Sequence, residues 1–305
     1  MSFFKLVILI FLGYYLFRDF DIAIIAEHFK SYSISLIIMA MLSVILSDFL
    51  LSLRWRYISN KTCDLKSSFE VIVLSGLINF ILPAKLGELS KAFYLNKLYK
   101  IELPFGFNLI IYERILDIFL LALLAIFAIM EIFNDVNLIF YLVIFFFSFW
   151  IFLLLIKSNY LNFLLERLLG SKFSNSLIST KELLAKNFTL KKFTLSIIFT
   201  TFVWLSFMLT TFLVIESSNI SNLSLADIIL VFIVSAISMS ISLTPGGVGF
   251  FQAGIIFALG LFNVSHNEAL SLGIILHIVL LLPSMFVAII VFLKKEIAIS
   301  SLVKK

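Results

Sequence analysis

The chain has 305 residues, of which 62% are hydrophobic and only 13% are charged, and its mean hydropathy is +1.15. Soluble globular domains are about 45–50% apolar and about 25% charged. The 23 basic and 18 acidic residues are therefore too few to coat a soluble fold of this size. This composition excludes an ordinary soluble protein and predicts an all-α polytopic membrane protein. In such a protein we expect the basic residues behind the net charge of +5 to set the membrane topology and to contact anionic lipid headgroups, and we expect no nucleic-acid partner.

Cysteine and histidine are scarce along the chain. Cys63 is the single cysteine, which excludes an internal disulfide, and His28, His266 and His277 are far apart in sequence. The sequence also has no G-x-x-x-x-G-K-[ST] nucleotide-binding motif. We therefore expect no metal site, no cofactor and no coupling to ATP within this chain.

Apolar runs that can cross a bilayer as helices begin near the N-terminus. Residues 6–17 resemble the apolar part of a signal peptide, but charged residues rather than a cleavage site follow them, so we expect an uncleaved first span. Five longer runs are each predicted to be a spanning helix because about 20 apolar residues suffice. They are residues 34–53, 105–130, 136–156, 193–215 and 269–293. The sequence thus predicts about six full spans.

Two further apolar stretches are interrupted by proline and glycine. Residues 69–82 end at Pro83, and residues 226–243 are followed by Pro245 and three glycines. Because proline and glycine end helices, each stretch is predicted to be a re-entrant or broken helical hairpin. The prediction is then about eight or more membrane helices. An alternative in which 226–262 crosses the membrane fully gives the same location of the termini and stays open.

The distribution of basic residues predicts the orientation. With the N-terminus inside and both hairpins returning to the side they entered, the outside segments contain only Arg18 and Lys30 as basic residues. Three basic residues lie within the membrane elements: Lys85, Lys91 and Arg114. The remaining lysines and arginines are cytoplasmic, which predicts a multi-pass protein of the plasma (inner) membrane with both termini in the cytoplasm. Residues 157–192, which are basic and leucine-rich, are predicted to form a cytoplasmic interfacial segment.

The two interruptions resemble each other. Both contain P-x-x-x-G, at 83–87 and 245–249, and each is followed by a short apolar helix and then a long span. Three spans separate them, so the second copy is predicted to be inverted relative to the first. Residues 1–305 are then one transmembrane domain, with a first repeat at about 54–130 and a second at about 216–293. Such inverted repeats with discontinuous helices place a transport site near the membrane midplane.

The chemistry of that site is predicted from the helices that follow the breaks, near 86–95 and 250–262. Their N-terminal N–H groups would favour an anion such as phosphate. Lys85 would contact a phosphate oxygen, with extension of its side chain to the interface as the alternative. Glycines of the second break would allow close approach of a ligand to the backbone. These glycines are Gly246, Gly247 and Gly249.

Glu113, Arg114 and Asp117 lie near the middle of the span predicted at 105–130. An unpaired charge at that depth costs at least about 2.5–3.5 kcal/mol, so these side chains should face protein or water. In one interpretation Arg114 binds a headgroup phosphate, while Glu113 or Asp117 orients it or carries a coupled proton. In the other, Arg114 and Asp117 form a structural pair at i,i+3.

Asp48 lies close to the end of the span predicted at 34–53, and we expect it to be shallow and paired with Arg54 and Arg56. A structural role is favoured for this carboxylate.

Glu88 can pair with Lys85 or Lys91 at a spacing of three residues, either as a site carboxylate or as a surface salt bridge. Asn79, four residues before the first proline, is a candidate ligand or cap. The predicted headgroup-binding residues are Lys85, Gly87, Glu88, Arg114, Gly246, Gly247 and Gly249. The predicted coupling or orienting residues are Glu113, Asp117 and Asn79.

Several motifs occur together along nearly the whole chain. They are Arg54-Trp55-Arg56, Gly76-x-x-Asn79-x-x-Leu82-Pro83-x-x-x-Gly87-Glu88, Glu113-Arg114-x-x-Asp117, Thr244-Pro245-Gly246-Gly247-x-Gly249 and Glu268-Ala269. Their combination resembles the lysylphosphatidylglycerol synthase transmembrane region family, flippase-like membrane proteins related to the N-terminal domain of the multiple peptide resistance factor. The resemblance implies two inverted, re-entrant-containing halves and translocation of a lipid between leaflets. It also implies that the site is lined by Lys85, Gly87, Glu88, Glu113, Arg114, Asp117 and the loop 245–249.

One departure from the family pattern concerns the second glycine loop. Family members often carry an acidic residue shortly after it, whereas this chain has Phe250-Phe251-Gln252. A proton- or amine-handling role is therefore not assigned to that position. We also expect no soluble aminoacyl-transfer domain and hence no lysine transfer.

The sequence predicts a lipid flippase or transporter rather than an enzyme. Its expected substrate is an anionic phospholipid or a polyprenyl-phosphate-linked lipid. The alternative is an integral membrane transferase that uses a lipid-phosphate donor, with Glu113, Asp117 or Glu88 as general base. Expected partners are membrane lipids, and further candidates are a second copy of the chain and enzymes of envelope-glycan biosynthesis.

Overall fold

The computed structural model describes residues 13–16, 21–83, 85–133, 137–159, 189–218, 220, 223–241 and 243–295, with a few isolated positions between 160 and 188. In this part of the chain all regular structure is helical. The helices are α1 (Ile22–Ser31), α2 (Ile34–Ile58), α3 (Leu65–Ile81), α4 (Gly87–Tyr99), α5 (Leu103–Phe133), α6 (Leu138–Lys157), α7 (Leu190–Ser217), α8 (Leu225–Ser240), a 3₁₀ turn (Pro245–Gly247), α9 (Phe250–Gly260) and α10 (His266–Lys295). Most of the predicted first span, 6–17, and of the predicted interfacial segment, 157–192, lies outside the described residues.

Four of the predicted long runs fall within one helix each, and residues 138–156 of the run predicted at 136–156 lie in α6. Among the described residues, α2, α7 and α10 combine spanning length with high apolarity: they have apolar stretches of 25, 27 and 29 residues, and 18-residue windows within these stretches have mean hydropathies of 2.4, 2.1 and 2.8. A helix rises about 1.5 Å per residue, so each of these helices exceeds the hydrocarbon thickness of about 30 Å. The chain is therefore an all-α, multi-pass membrane protein, as the composition predicts.

Helix α1 occupies a segment that the sequence analysis treats as an outside loop. Asp21 caps this helix, because its carboxylate accepts hydrogen bonds from the N–H groups of Ala23 and Ile24. The N–H of Asp21 in turn donates to Asn267 Oδ1 at 3.2 Å, and α1 packs against α10. The segment is therefore a capped helix attached to the bundle rather than a simple connection.

Helices α2 and α7 form the central pair of the bundle. Ser43 Oγ lies 2.6 Å from Thr210 Oγ1, and Ser206 donates to the carbonyl of Ser43 at 2.9 Å. Small hydroxyl residues allow two membrane helices to approach closely and to hydrogen-bond across their interface. Around this pair, α3 and α10 pack on α2, whereas α5 and α8 pack on α7.

Both predicted interruptions are present, but the backbone adopts different conformations in the two. Between α3 and α4, Pro83 ends the first helix, and Lys85 adopts a left-handed conformation with φ of 56°. A non-glycine residue pays about 1–2 kcal/mol for such a conformation. Between α8 and α9, Gly246, Gly247 and Gly249 take φ values of 62°, 80° and 86°, which glycine adopts without that penalty.

The two breaks lie against each other in the middle of the bundle. The 3₁₀ turn of the second break contacts α3, which leads into the first break. A Cβ atom added to Gly246 would lie 2.8 Å from Cδ2 of Phe80. The sequence separates Phe80 and Gly246 by more than half of the chain, so this contact is purely tertiary, and it positions the site described below.

Helix α4 begins in close contact with α3. A Cβ atom on Gly87 would overlap the carbonyl oxygen of Ser75 and lie 2.5 Å from the backbone N of Asn79. Neither neighbour can move independently of α3, because both are backbone atoms of that helix. Gly87 therefore allows the α3–α4 hairpin to close.

Substitution of Gly87 by alanine is accordingly expected to destabilise the fold by about 1–3 kcal/mol through overpacking. Gly76→Ala is a matched control in α3, because a Cβ at Gly76 has no atom within 4 Å. Unfolding in mixed detergent micelles, followed by circular dichroism, should give a lower midpoint for G87A and an unchanged or higher midpoint for G76A. Equal midpoints for the two variants would contradict this account of the hairpin.

Candidate functional site

Helix α5 brings Glu113 into contact with two cations from other helices. Glu113 Oε1 lies 3.1 Å from Arg54 Nη2 of α2, and Oε2 lies 2.9 Å from Lys91 Nζ of α4. The Glu113 side chain is completely buried, and Arg54 is as well. A buried carboxylate needs such partners, because its desolvation would otherwise cost several kcal/mol.

Asp117, one turn further along α5, also lies between two cations. Its Oδ1 is 2.5 Å from Arg54 Nη1, and its Oδ2 is 3.1 Å from Arg114 Nη2. The indole N–H of Trp204 on α7 donates to the same Oδ1 at 3.0 Å. Arg54 therefore joins Glu113 and Asp117, because the two terminal nitrogens of its planar guanidinium each contact a different carboxylate.

Glu88 completes the network from the first turn of α4. Its Oε2 lies 2.8 Å from Lys91 Nζ and 3.6 Å from Arg114 Nη2, and its Oε1 accepts a hydrogen bond from Asn79 Nδ2 at 3.2 Å. The ammonium of Lys91 also lies 5.2 Å from the centre of the Trp55 ring, a distance typical of a cation–π contact. The network thus links α2, α3, α4, α5 and α7.

This charge network contains three cations and three carboxylates, so its formal charge is zero. The members are Arg54, Lys91, Arg114, Glu88, Glu113 and Asp117. Breaking a buried pair by removing one partner typically costs about 3–5 kcal/mol, because the other charge stays buried. Arg114 differs from the other two cations, since 44% of its side chain is exposed.

The exposed part of Arg114 faces a cavity of about 210 Å³ at the meeting point of the two breaks. Asn79, Lys85 and Glu88 line it from the first break, and Gly246 and Gly247 line it from the second. Lys85 has no ion-pair partner among the described residues. Because the charge network is neutral, Lys85 gives its part of the wall of this central cavity a positive charge, whereas the carboxyl group of Asp48 lines another part. A second cavity of about 220 Å³ shares Lys85 and Arg114 with it.

An apolar groove of about 590 Å³ adjoins the central cavity along α10. Phe80, Leu281 and Met285 line both spaces and form the boundary between them. The rest of the groove is lined mainly by large apolar side chains, with Gln252 and His277 as its polar members: Val248, Gln252, Ile274, His277, Ile278, Leu282, Phe286 and Ile289. A charged cavity and an apolar groove are thus adjacent and share part of their lining.

A chain of hydrogen bonds fixes the second break. The N–H of Gly249 donates to Gln252 Oε1 at 2.8 Å, and Gln252 Nε2 lies 2.9 Å from His277 Nδ1. His277 Nε2 lies 2.9 Å from the carbonyl oxygen of Gly246. The amide of Gln252 can only donate from Nε2, so Nδ1 accepts and the imidazole proton is on Nε2. The Gly249 N–H is therefore used internally and is not directed at a ligand.

The geometry of the breaks, the charge network and the membrane helices can be set beside known families. The sequence matches the family described as Lysylphosphatidylglycerol synthase TM region over residues 2–288. The chain belongs to this family. No curated protein matches the sequence significantly.

In this lysylphosphatidylglycerol synthase TM region, most of the predicted site residues come together. Six line the central cavity: Asn79, Lys85, Glu88, Arg114, Gly246 and Gly247. Glu113 and Asp117 lie behind Arg114 in the charge network. Gly87 packs against α3, and Gly249 is capped by Gln252, so neither belongs to the cavity wall.

The expected pairing of Asp48 with Arg54 and Arg56 is wrong. Arg54 points to Glu113 and Asp117, whereas Asp48 accepts a hydrogen bond from Ser284 Oγ of α10 at 2.6 Å. The physical reason is that α2 continues to Ile58, so Arg54 lies on a buried helix face, six residues from Asp48. Asp48 is itself buried and lines the central cavity.

Two residues of the charge network, Arg54 and Lys91, are absent from the predicted site, and so is Trp204, which donates a hydrogen bond to Asp117. Sequence reasoning places Arg54 in a cytoplasmic loop because the apolar run ends at Leu53, although the helix does not. Lys91 carries a usable signal, since it lies one turn after Glu88 in a segment predicted to be within the membrane. Nothing in the local sequence distinguishes Trp204 from an ordinary apolar helix residue.

Proposed function

We propose that this protein translocates an anionic lipid, a phospholipid or a polyprenyl-phosphate-linked lipid, between the leaflets of the inner membrane. The observation that carries the proposal is that the cavity lined by Lys85 and Arg114 adjoins the apolar groove, with Phe80, Leu281 and Met285 in both walls. A soluble anion needs only the first space, and an apolar molecule only the second. A lipid needs both, because its head is charged and its tail is not.

Phosphate is the headgroup chemistry that fits the cavity best. Arg114 offers a half-exposed guanidinium, which can bind two phosphate oxygens at once, and Lys85 offers a mobile ammonium beside it. The close approach of Gly246 and Gly247 leaves backbone rather than side chains on the opposite wall. Within the charge network, Glu88 and Asp117 hold Arg114 in place.

The arrangement of the helices favours alternating access. The predicted repeats, at about 54–130 and 216–293, contain α3–α5 and α8–α10. We propose that α2 and α7 extend them, so that α2–α5 and α7–α10 are inverted halves within about six full spans and two re-entrant hairpins, and that both termini are cytoplasmic. In this pairing α2 corresponds to α7, α3 to α8, α4 to α9 and α5 to α10. The contact of α3 with α10 then corresponds to that of α8 with α5, and the contact of α2 with α3 to that of α7 with α8. All four contacts occur in the structure. Such symmetry would allow the same site to open to either side.

Transport is favoured over the alternative, a transferase that uses a lipid-phosphate donor. A general base must be able to accept a proton from a hydroxyl acceptor at hydrogen-bond distance. The three candidate bases, Glu88, Glu113 and Asp117, each contact at least two cations in the charge network. These contacts stabilise the carboxylates as anions, which makes them structural and orienting groups.

Reconstitution of the purified protein into liposomes tests the proposal. Fluorescent lipids with identical tails and either a phosphate-bearing anionic head or an uncharged head should be exchanged between leaflets at different rates. We expect faster exchange of the anionic lipid than in protein-free liposomes, and little change for the uncharged one. Headgroup-independent exchange, or none for any lipid tested, would contradict transport, and a new lipid product in the mass spectrum without exchange would favour the transferase.

A further inference from the structure

We propose that Asp48 carries the proton that is coupled to translocation of the anionic head. This inference rests on the proposed function, because it concerns the driving force of the same cycle. It assigns to Asp48 of α2 the role that the sequence analysis assigns to Glu113 or Asp117.

Glu113 and Asp117 are poorly placed to exchange protons. Each contacts two cations at 3.1 Å or less, and each is buried behind Arg114 rather than in the wall of the central cavity. Protonation of either would leave Arg54 buried against a neutral group. Both carboxylates are therefore committed to holding Arg54 in place.

Asp48 has the opposite surroundings. It is 7% exposed, lines the central cavity, and has the hydroxyl of Ser284 as its hydrogen-bonding side chain at 2.6 Å. No described cation lies within ion-pair distance of it. A buried carboxylate without a cation is stabilised in its protonated form, and its contact with the cavity gives the proton a path to water.

Among the groups that α2 and the helices packed against it bring to the central cavity, Asp48 is the one that we assign to proton exchange. From α10 it meets Ser284, while the His277 imidazole is bound between Gln252 and Gly246. From α3 the polar residue in the cavity is Asn79, and Glu70 further up that helix interacts with Tyr94. The charged residues of α7 are at its ends: Lys191, Lys192 and Glu216. The other charged residues of the cavity are Lys85, Glu88, Lys91 and Arg114.

Coupling follows from electrostatics within one cavity. A phosphate bound at Lys85 and Arg114 adds negative charge near the carboxyl group and so favours its protonated form. The Asp48 carboxylate takes one proton from water on the side from which the lipid enters. When the lipid leaves on the other side, the carboxyl group returns that proton to water there. Lipid anion and proton are thus transported in the same direction.

Two measurements on the reconstituted full-length protein test this role. In the first, leaflet exchange of the anionic lipid is followed over a pH series and with an imposed proton gradient. Wild type should be accelerated roughly fivefold or more by a gradient of the favourable sign, Asp48→Asn should lose this acceleration, and Asp48→Glu should restore it. An Asp48→Asn variant that keeps the full response to the gradient overturns the proposal.

The second measurement reads the proton directly and does not depend on transport. Infrared spectra of the wild-type protein saturated with the anionic lipid should contain a protonated-carboxyl C=O band that is absent in Asp48→Asn and shifted in Asp48→Glu. Absence of any protonated-carboxyl band in the folded, lipid-saturated wild type overturns the proposal even if the variants fold poorly. By contrast, a wild-type protein that has the band but exchanges no lipid would contradict the proposed function and not the protonation of Asp48.

Discussion

Replacement of Arg54 by alanine should lower the free energy of unfolding by about 3–5 kcal/mol, the largest stability effect that we expect for a single side chain. Arg54 is fully buried and holds both Glu113 and Asp117. Its removal would leave two carboxylates inside the bundle with only Lys91 and Arg114 as partners. Unfolding in mixed detergent micelles, followed by circular dichroism, measures this loss.

Arg56→Ala is the matched control for this experiment. Arg56 lies two residues away on the same helix, is half-buried, and has no ion pair among the described residues. Its replacement should cost less than about 1 kcal/mol. In addition, the double variant R54A/E113Q should lose less free energy of unfolding than the sum of the losses in R54A and E113Q, because it lacks the uncompensated charge that each single variant leaves buried. Equal losses for R54A and R56A would show that the charge network does not stabilise the bundle.

Replacement of Arg114 by alanine should instead reduce exchange of the anionic lipid by roughly 100-fold, the largest functional effect, if a charge-assisted contact with phosphate worth about 2–3 kcal/mol is lost. Stability should change much less than in R54A. The two carboxylates that Arg114 contacts keep other cations, because Glu88 still pairs with Lys91 and Asp117 with Arg54. Rates in liposomes and unfolding midpoints in micelles should therefore separate the two arginines.

Lys191→Ala controls for the loss of one positive charge, since Lys191 is exposed at the start of α7 and lies outside the central cavity. Its exchange rate should equal that of wild type. Arg114→Lys keeps the charge but not the fork, so we expect a rate between those of wild type and R114A. Full activity in R114A would contradict the proposed contact of Arg114 with the phosphate.

The sequence predicts the ends of the two breaks closely, because proline and glycine act locally. Pro83 terminates a helix whatever surrounds it, and the three glycines adopt conformations that other residues avoid. Helix α1 was missed for the converse reason. Its capping residue, Asp21, is a local signal, but the segment is short and its stability depends on docking to α10.

The charge network was only partly predictable. Arg114 and Asp117 are three residues apart on one helix, and their pairing follows from that spacing, as the structure bears out at 3.1 Å. The partners of Glu113 come from α2 and α4, at separations of 59 and 22 residues. A boundary error of five residues at the end of α2 was enough to move Arg54 from the core to a loop.

Composition and local pattern by themselves determined that this chain is a helical membrane protein, where two of its helices break, and that Glu113, Arg114 and Asp117 lie within a span, because hydropathy and backbone preference are properties of short segments. Tertiary structure alone decided that Gly246 meets Phe80, that Arg54 rather than Arg114 anchors the buried carboxylates, and that Asp48 lines the cavity with Ser284 as its partner. These outcomes depend on how helices distant in sequence approach one another. Burial and partner choice, which set the behaviour of a charge in a membrane, exist only after that packing has formed.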